Sequence, residues 1–201
     1  MSILTERTNP YVGNLSHTIN FFDSDGGVID ITRLVLEFNI YENIFSHTIA
    51  ADFAIRDAIG LIDAGQSPMT GQEFLEISFQ SNNSSLLGAA GRPLMFKVNR
   101  VANKKEITAG SAVYTLDCSS IEYERNMTTD VITSSKNKLG SEVVKDIFND
   151  YIYAGNKKGL EVEESENIVP YTAVGQTPFE AIETIAKECR SKGTYGNASH
   201  Y

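Results

Sequence analysis

The sequence is short of the residue types from which many reactive and metal-binding sites are built. Its 201 residues include only two cysteines, Cys118 and Cys189, and three histidines, His17, His47 and His200. The cysteines lie far apart, and no histidine has a second histidine or a cysteine at ligand spacing, which excludes the usual zinc and disulfide patterns. We interpret the cysteines as two reduced, buried thiols and His47 as a turn or edge residue.

Positive charge and long apolar runs are also scarce. The sequence has 17 basic and 26 acidic residues, which gives a formal net charge of −9. This charge makes binding to the phosphates of a nucleic acid unfavourable. An acidic surface would suit a channel along which DNA slides without sticking, although acidic proteins are common. The first 14 residues lack the features of a signal peptide, and no run reaches the roughly 18 apolar residues of a membrane span. We therefore expect no membrane anchor and folding in a cytoplasm.

Motifs of known chemistry are missing as well. No serine lies in a GxSxG motif, and GAAG at 88–91 has no lysine where a phosphate loop requires one. The DSDGG stretch at 23–27 is typical of a turn, with a weak metal site at Asp23 and Asp25 as the alternative. The glutamates between 161 and 166 are interpreted as a solvated acidic face. We predict no catalytic, cofactor-binding or metal-binding residues and no enzyme activity.

What the sequence does contain is a succession of short runs in which apolar and polar residues alternate. Alternation with period two predicts strands that bury one face. The predicted strands are 15–22, 31–40, 48–56, 73–80, 94–102 and 112–120. A YENIF break at 41–45, a helical turn at 58–62 and a hairpin tip at 103–110 separate some of them. Strands this frequent indicate a sandwich or barrel.

The pattern changes after Ser120, where two amphipathic helices are predicted. The first has Ser141 as its N-cap and Gly155 as its stop, and the second begins with a Thr177–Glu180 capping box and Pro178. The apolar stripes are Val143, Val144, Ile147, Phe148, Tyr151 and Ile152, then Phe179, Ile182, Ile185, Ala186 and Cys189. We predict an α+β, β-dominated fold: a β-barrel or sandwich domain over 1–118 and a small α/β domain over 119–201.

Several stretches resemble one family in their order and spacing. The run from ITRLVLEFNIYENIF through GLID to GQEFLEISFQ, residues 31–80, resembles the first, tube-like domain of baseplate central hub proteins from contractile-tailed phages. YTLDCSS at 114–120 is similar to the strand that closes that domain. GSEVVKDIFNDYI at 140–152 and TPFEAIETIAKEC at 177–189 resemble the helices that follow it. The likeness extends over about 15–201.

The resemblance implies a structural role. Such hubs are homotrimers with two tube-like domains per chain, and they join the tail tube, or a tube-terminating ring, to a trimeric cell-puncturing spike. It implies a virion protein of the tail baseplate, assembled in the host cytoplasm beside other baseplate proteins. DNA would pass through the axial channel without specific binding, and catalysis would belong to a partner.

The sequence departs from the family at one point. A second tube-like domain would be expected to start near 198–201, where the sequence ends, so the chain is either a portion of a longer protein or a shortened relative. Two other functions stay open: a hub or spike component of a bacterial contractile injection or type VI secretion device, and a host ligand- or metal-binding β-domain. The loop 59–71 and the hairpin tip 103–110 are the predicted subunit contacts.

Overall fold

The computed structural model describes residues 15–62, 69–81, 93–108, 110–153 and 159–193, which form two compact units. The first comprises the chain up to Ile40 together with Ala50–Cys118, and the second comprises Tyr41–Ile49 and the chain from Ser119 onward. The predicted boundary after residue 118 placed Tyr41–Ile49 in the first domain, whereas its contacts lie in the second unit. That the units are separate folding domains stays a prediction.

Seven strands of the first unit form one sheet. They are β1 (Leu15–Phe22), β2 (Val28–Asp30), β3 (Val35–Tyr41), β4 (Ala50–Asp57), β5 (Phe74–Ser81), β6 (Leu94–Thr108) and β7 (Ser111–Ser120). Their order across the sheet is β2-β1-β5-β6-β7-β4-β3. β1 runs antiparallel to β2 and β5, and β5 runs antiparallel to β6.

Alternate side chains of these strands build the core of the first unit. Because successive side chains of a strand point to opposite faces, every second residue is buried. The buried set is Ile19, Phe21, Ala51, Phe53, Ile55, Leu75, Ile77, Phe96, Val98, Ala112, Tyr114, Leu116 and Cys118. The inward faces predicted for β4 to β7 are confirmed, with Ile49 and Phe79 half-buried.

The sheet curls into a half-barrel. Phe38 lies on β3, at one end of the strand order, yet its ring contacts His17 on β1, near the other end, with centroids 5.1 Å apart. The same ring lies 6.1 Å from Phe79 and 6.1 Å from Phe53. The two ends of the sheet therefore approach each other around aromatic side chains.

The strand predicted over 31–40 is divided in the structure. β2 ends at Asp30, a turn follows, and β3 begins at Val35. Thr32 Oγ1 accepts a hydrogen bond from the Ile19 N–H at 2.8 Å, which fastens the turn to β1. Leu36 was predicted to face inward but is 61% exposed. The three-residue step from Ile31 to Leu34 does not match the strand period, and the turn accounts for it.

Two predicted connections also differ from the structure. Residues 58–62 form a bend at 58–59 and a turn at 61–62 rather than a helical turn, with Gly60 at φ 69°. The predicted hairpin tip 103–110 belongs mostly to β6, which continues to Thr108. Its polar sequence suggested a loop, but a strand that is exposed to solvent tolerates polar residues on both faces.

The second unit packs short elements together. They are α1 (Ile121–Thr128), β8 (Val131–Ser135), α2 (Gly140–Ile147), a π-helical segment (Phe148–Ile152), β9 (Tyr171–Gln176) and α3 (Pro178–Glu188). β8 and β9 form an antiparallel pair. The core contains Val131, Val143, Ile147, Ile152, Val169, Tyr171, Ala173, Ala181, Ile182 and Ile185. Among the described residues, no helix has the length and apolar character to cross a membrane.

The predicted N-terminal cap agrees with the structure at α3 but not at α2. The pairing predicted for α3 is confirmed, because the Thr177 N–H donates to the Glu180 carboxylate at 3.1 Å. For α2 the prediction was wrong: the N-cap is Leu139, whose N–H donates to the Glu142 carboxylate at 3.0 Å. Ser141 is instead buried, and its N–H donates to Ser165 Oγ. Gly155, the predicted stop, lies outside the described residues.

The predicted α+β, β-dominated class is confirmed. Three elements of the second unit, α1, β8 and β9, were not predicted. The region predicted for the start of a second tube-like domain, 198–201, lies outside the described residues.

Candidate assembly surfaces

The predicted contact loop 59–71 is held at both ends by buried carboxylates. Asp57 ends β4, and Glu73 immediately precedes β5; their side chains are 1% and 0% exposed. Residues 63–68 lie outside the described part of the chain. A buried carboxylate is tolerated when hydrogen-bond donors surround it, and both of these have several.

Asp57 organises the start of the loop. Its Oδ1 accepts from the Ile59 N–H at 3.1 Å, and its Oδ2 accepts from the Ile62 N–H at 3.3 Å. The Tyr114 hydroxyl on β7 donates to the same Oδ2 at 3.3 Å. The carboxylate therefore ties the bend after β4 to a neighbouring strand, and Ile59 at the bend is exposed.

Glu73 organises the end of the loop. Its Oε1 accepts from the Thr70 N–H at 2.6 Å and the Thr70 hydroxyl at 2.9 Å, and its Oε2 accepts from the Gly71 N–H at 2.8 Å. Burial by itself raises the pKa of the Glu73 carboxyl, but these hydrogen bonds outweigh it, so the pKa lies below its usual value. The charged form is therefore the one that the fold stabilises.

The second predicted contact, 103–110, forms the exposed end of the β6–β7 hairpin. Every β6 side chain from Asn103 to Thr108 is exposed. Asn103 has φ 55° and Gly110 has φ 81°, left-handed conformations that suit a bulge and a tight turn. The segment carries Lys104, Lys105 and the apolar Ile107.

The outer strands of the sheet offer a further surface. In the described part of the chain, β2 and β3 occupy the two ends of the strand order. Val28 on β2 and Leu36 and Tyr41 on β3 are exposed. An outer strand presents unpaired backbone groups to which another chain can add a strand. Sequence reasoning missed these edges, because strand order cannot be read from alternation.

Two solved structures share this arrangement. A tail protein from Neisseria meningitidis aligns over 86% of this chain and 46% of its own length, with a TM-score of 0.50 and 12% identity. The 43 kDa tail protein of prophage MuSo2 from Shewanella oneidensis aligns over 90% of this chain and 52% of its own length, with a TM-score of 0.51 and 12% identity. The chain has a tail-protein fold. The resemblance seen in the sequence is thus confirmed at the level of the fold.

The chain spans about half the length of the tail proteins that share its fold. A chain of the Francisella PdpA–VgrG complex aligns over 88% of this chain and 29% of its own length, with a TM-score of 0.45 and 12% identity. No protein-family model matches the sequence, and no curated protein matches it.

The alternative metal site at 23–27 is folded as a turn. Asp23 Oδ1 accepts from the Asp25 N–H at 3.0 Å and from the Gly27 N–H at 2.6 Å. Gly26 has φ 85°, which suits glycine at this position. Within the described ranges, no group of three or more histidine, cysteine, aspartate or glutamate side chains is placed to hold a metal ion.

Cys118 and His17 lie in the first unit, and Cys189 and His47 lie in the second. Both cysteines are free, as predicted: Cys118 is buried and Cys189 is half-buried. Burial and the nearby Asp117 and Asp52 raise the pKa of the Cys118 thiol. The exposed His17 ring contacts Phe38 in the first unit, and the His47 ring stacks on Phe179 in the second. His200 lies outside the described residues.

Proposed function

We propose that this chain is a structural protein of a phage tail, acting in the baseplate as part of the central hub that joins the tail tube to the spike and lines the axial channel. The observation that carries the proposal is the curled seven-stranded sheet, which has the fold of two tail proteins. A curled sheet with β2 and β3 at the two ends of its strand order, among the described residues, is suited to closing a ring with copies of itself.

The mechanism is packing and symmetry matching. The outer strands β2 and β3 would pair with strands of neighbouring subunits, and the exposed Val28 and Leu36 would be covered in the same step. The expected assembly is a homotrimer. Its partners would be a trimeric spike on one side, the tail tube protein or a terminating ring on the other, and further baseplate proteins around it.

A non-catalytic role is part of the proposal. The two buried carboxylates of the first unit, Asp57 and Glu73, are engaged in hydrogen bonds that shape the loop 59–71, which supports a structural use for them. The net charge of −9 supports passage of DNA without tight binding.

Electron microscopy of tail particles that contain this chain tests the proposal. We expect three copies around the tail axis, between the tube and the spike, with β2 and β3 at subunit boundaries. Density for the chain at the particle periphery, or a copy number other than three on the axis, would overturn the hub assignment.

A charged substitution on an outer strand tests the edge contact. Leu36→Lys places a charge on β3, where edge lysines oppose strand addition, and we expect it to abolish incorporation into particles while the chain stays folded by circular dichroism. Val174→Lys is the matched control, because Val174 is also an exposed strand residue but lies on β9 of the second unit. Normal incorporation of Leu36→Lys would contradict edge pairing through β3.

A further inference from the structure

The second unit contains an open groove of about 830 Å³. Its walls come from residues 42–49, α2 with the π-helical segment, residues 160–165, and α3. The floor includes Val144, Phe148, Phe179 and Ile182, of which only Ile182 is fully buried. This volume lies in the range of clefts that bind ligands.

One wall of the groove is fixed in place. The His47 ring stacks on the Phe179 ring of α3, with centroids 4.9 Å apart and planes inclined by 18°. The carbonyl of Ile49 accepts a hydrogen bond from the Ser120 N–H at 2.8 Å. The groove is therefore formed before any occupant binds, which lowers the entropy cost of binding.

The groove has an apolar interior and an acidic rim. Its lining includes four glutamates, Glu42, Glu161, Glu163 and Glu164, against one arginine, Arg190. Glu164 pairs with Lys192 at 2.9 Å and Glu163 accepts from the Ser191 hydroxyl, whereas Glu42 and Glu161 are exposed on the rim. An occupant with an apolar side chain beside a positive charge would match both features.

The β6–β7 hairpin of the first unit carries such a segment. Lys105 and Ile107 are two positions apart on β6, so their side chains share one face of the strand. Both are exposed, and Ile107 retains 52% of its surface. Lys104 precedes them on the opposite face. An exposed isoleucine beside a lysine is the complement of an apolar groove with a glutamate rim.

We propose that the groove of one copy binds the hairpin end, residues 103–108, of a second copy of this chain. Ile107 would pack against Phe148 and Phe179, and Lys105 would face Glu42 and Glu161. The contact joins two different surfaces, so it is heterologous and can propagate around a closed ring. The inference rests on the proposed function for the presence of several copies in one assembly.

Charge reversal with rescue tests the contact in solution. The hairpin variant is Lys105→Glu, and the groove variant is Glu42→Lys with Glu161→Lys. We expect each variant alone to self-associate about tenfold more weakly than the original chain in sedimentation velocity, because attractive charge pairs become repulsive. An equimolar mixture of the two should recover association, because reversed hairpins meet reversed grooves.

Matched controls place the same charge changes elsewhere. Lys136→Glu and Asp130→Lys alter exposed residues outside the groove and the hairpin, and we expect both to associate like the original chain. Association of the original chain should weaken as salt rises, since exposed charges are screened. A monomeric original chain, unchanged association of the reversal variants, or no recovery in the mixture would each overturn the proposal.

A disulfide cross-link tests the position of the hairpin. Cys189 lines the groove and Cys118 is buried, so Ile107→Cys should give disulfide-linked dimers and larger oligomers under mild oxidation, and the added change Cys189→Ser should abolish them. Burial and Glu188 raise the pKa of the Cys189 thiol. The oxidation should therefore be run at alkaline pH, where more of the reactive thiolate is present. A Lys136→Cys control that forms as much dimer would overturn the assigned contact.

These outcomes are separate from those of the hub proposal. Axial trimers in the particle together with failed rescue and failed cross-linking would remove only the hairpin contact. Rescue and cross-linking together with a peripheral position in the particle would remove only the hub assignment.

Discussion

The first unit buries its side chains along long strands, whereas the second unit assembles its core from short elements. β6 and β7 have 15 and 10 residues, while β8 and β9 have five and six. In the first unit the core follows the alternation of each strand. In the second, β8, β9, α2, the π-helical segment and α3 each supply between one and three buried members of one cluster, and Val169 joins them from outside these elements. The second core therefore depends on many separate pieces of chain being brought together.

The polar groups that the two units bury also differ. Among the described residues of the first unit they are the carboxylates of Asp57 and Glu73, and in the second unit they are five serines and the carboxylate of Glu122. A hydroxyl does not titrate in the range where proteins fold, but a carboxylate does. The hydrogen bonds around Glu73 hold the pKa of its carboxyl below the usual value, so we expect the first unit to lose stability in acid through this group.

The largest expected effect is from Phe53→Ala in the first unit. Phe53 is fully buried between Phe38 and Phe96, and removing such a ring costs about 3–5 kcal/mol of unfolding free energy. Denaturant titration measures the loss, and hydrogen exchange locates it. Faster exchange in β4 to β7 with unchanged exchange in α2 and α3 would support two separate units. Equally faster amide exchange in both units would contradict their description as two separate units.

The mirror experiment is Ile185→Ala on α3. Ile185 is fully buried in the second core, and its truncation should cost about 2–5 kcal/mol. We expect faster amide exchange in α2, α3 and β9, with little change in β5. Ile168→Ala is the same substitution at an exposed position and should change stability by less than about 0.5 kcal/mol. An Ile185→Ala effect as small as this control would contradict the assigned core.

A smaller effect is expected at Gly140, where α2 packs closely against Cys189 and Val169. A Cβ added at Gly140, the first residue of α2, would overlap Cys189 Sγ and lie 3.1 Å from Cγ2 of Val169. Gly140→Ala should therefore cost about 1–3 kcal/mol in thermal or denaturant unfolding, as overpacking does. Adding Cys189→Ala removes the overlapping sulfur and should recover part of the loss. No recovery in the double variant would show that the cost has another origin.

A comparable effect with a distinct pH signature is expected from Glu73→Gln. An amide cannot replace a carboxylate that accepts three hydrogen bonds, so the loss near neutral pH should be about 1–3 kcal/mol. The folded pKa lies below the ordinary value of 4.5, so the stabilisation is complete above that value and is lost as pH falls through the folded pKa. Denaturant titrations across this range should show the original chain losing stability faster than Glu73→Gln.

The matched control for the acid effect is Glu37→Gln, at an exposed carboxylate on β3. Its pH profile should follow that of the original chain. If Glu73→Gln also follows the original profile, the acid sensitivity of the first unit does not come from Glu73.

Prediction from the sequence succeeded where the pattern was local. The inward faces of β4 to β7 and the Thr177–Glu180 pairing follow from spacings of two and three residues. β8 and β9 were missed because Ile132 and Val174 are apolar yet 71% and 77% exposed. Apolar and polar residues therefore do not alternate along the sequence of these strands. The groove was missed because its walls come from residues 42–49 and from segments more than ninety positions later.

The sequence by itself determined which side of β4, β5, β7 and the first part of β6 is buried, because the alternation of side chains is a property of the backbone and needs no partner. The tertiary structure decided the order of the strands and the curl that brings Phe38 to His17. It also decided that Tyr41–Ile49, a break between two strands of the first unit, packs in the second unit as a groove wall. Those outcomes depend on contacts between residues distant in the chain, which local spacing does not encode.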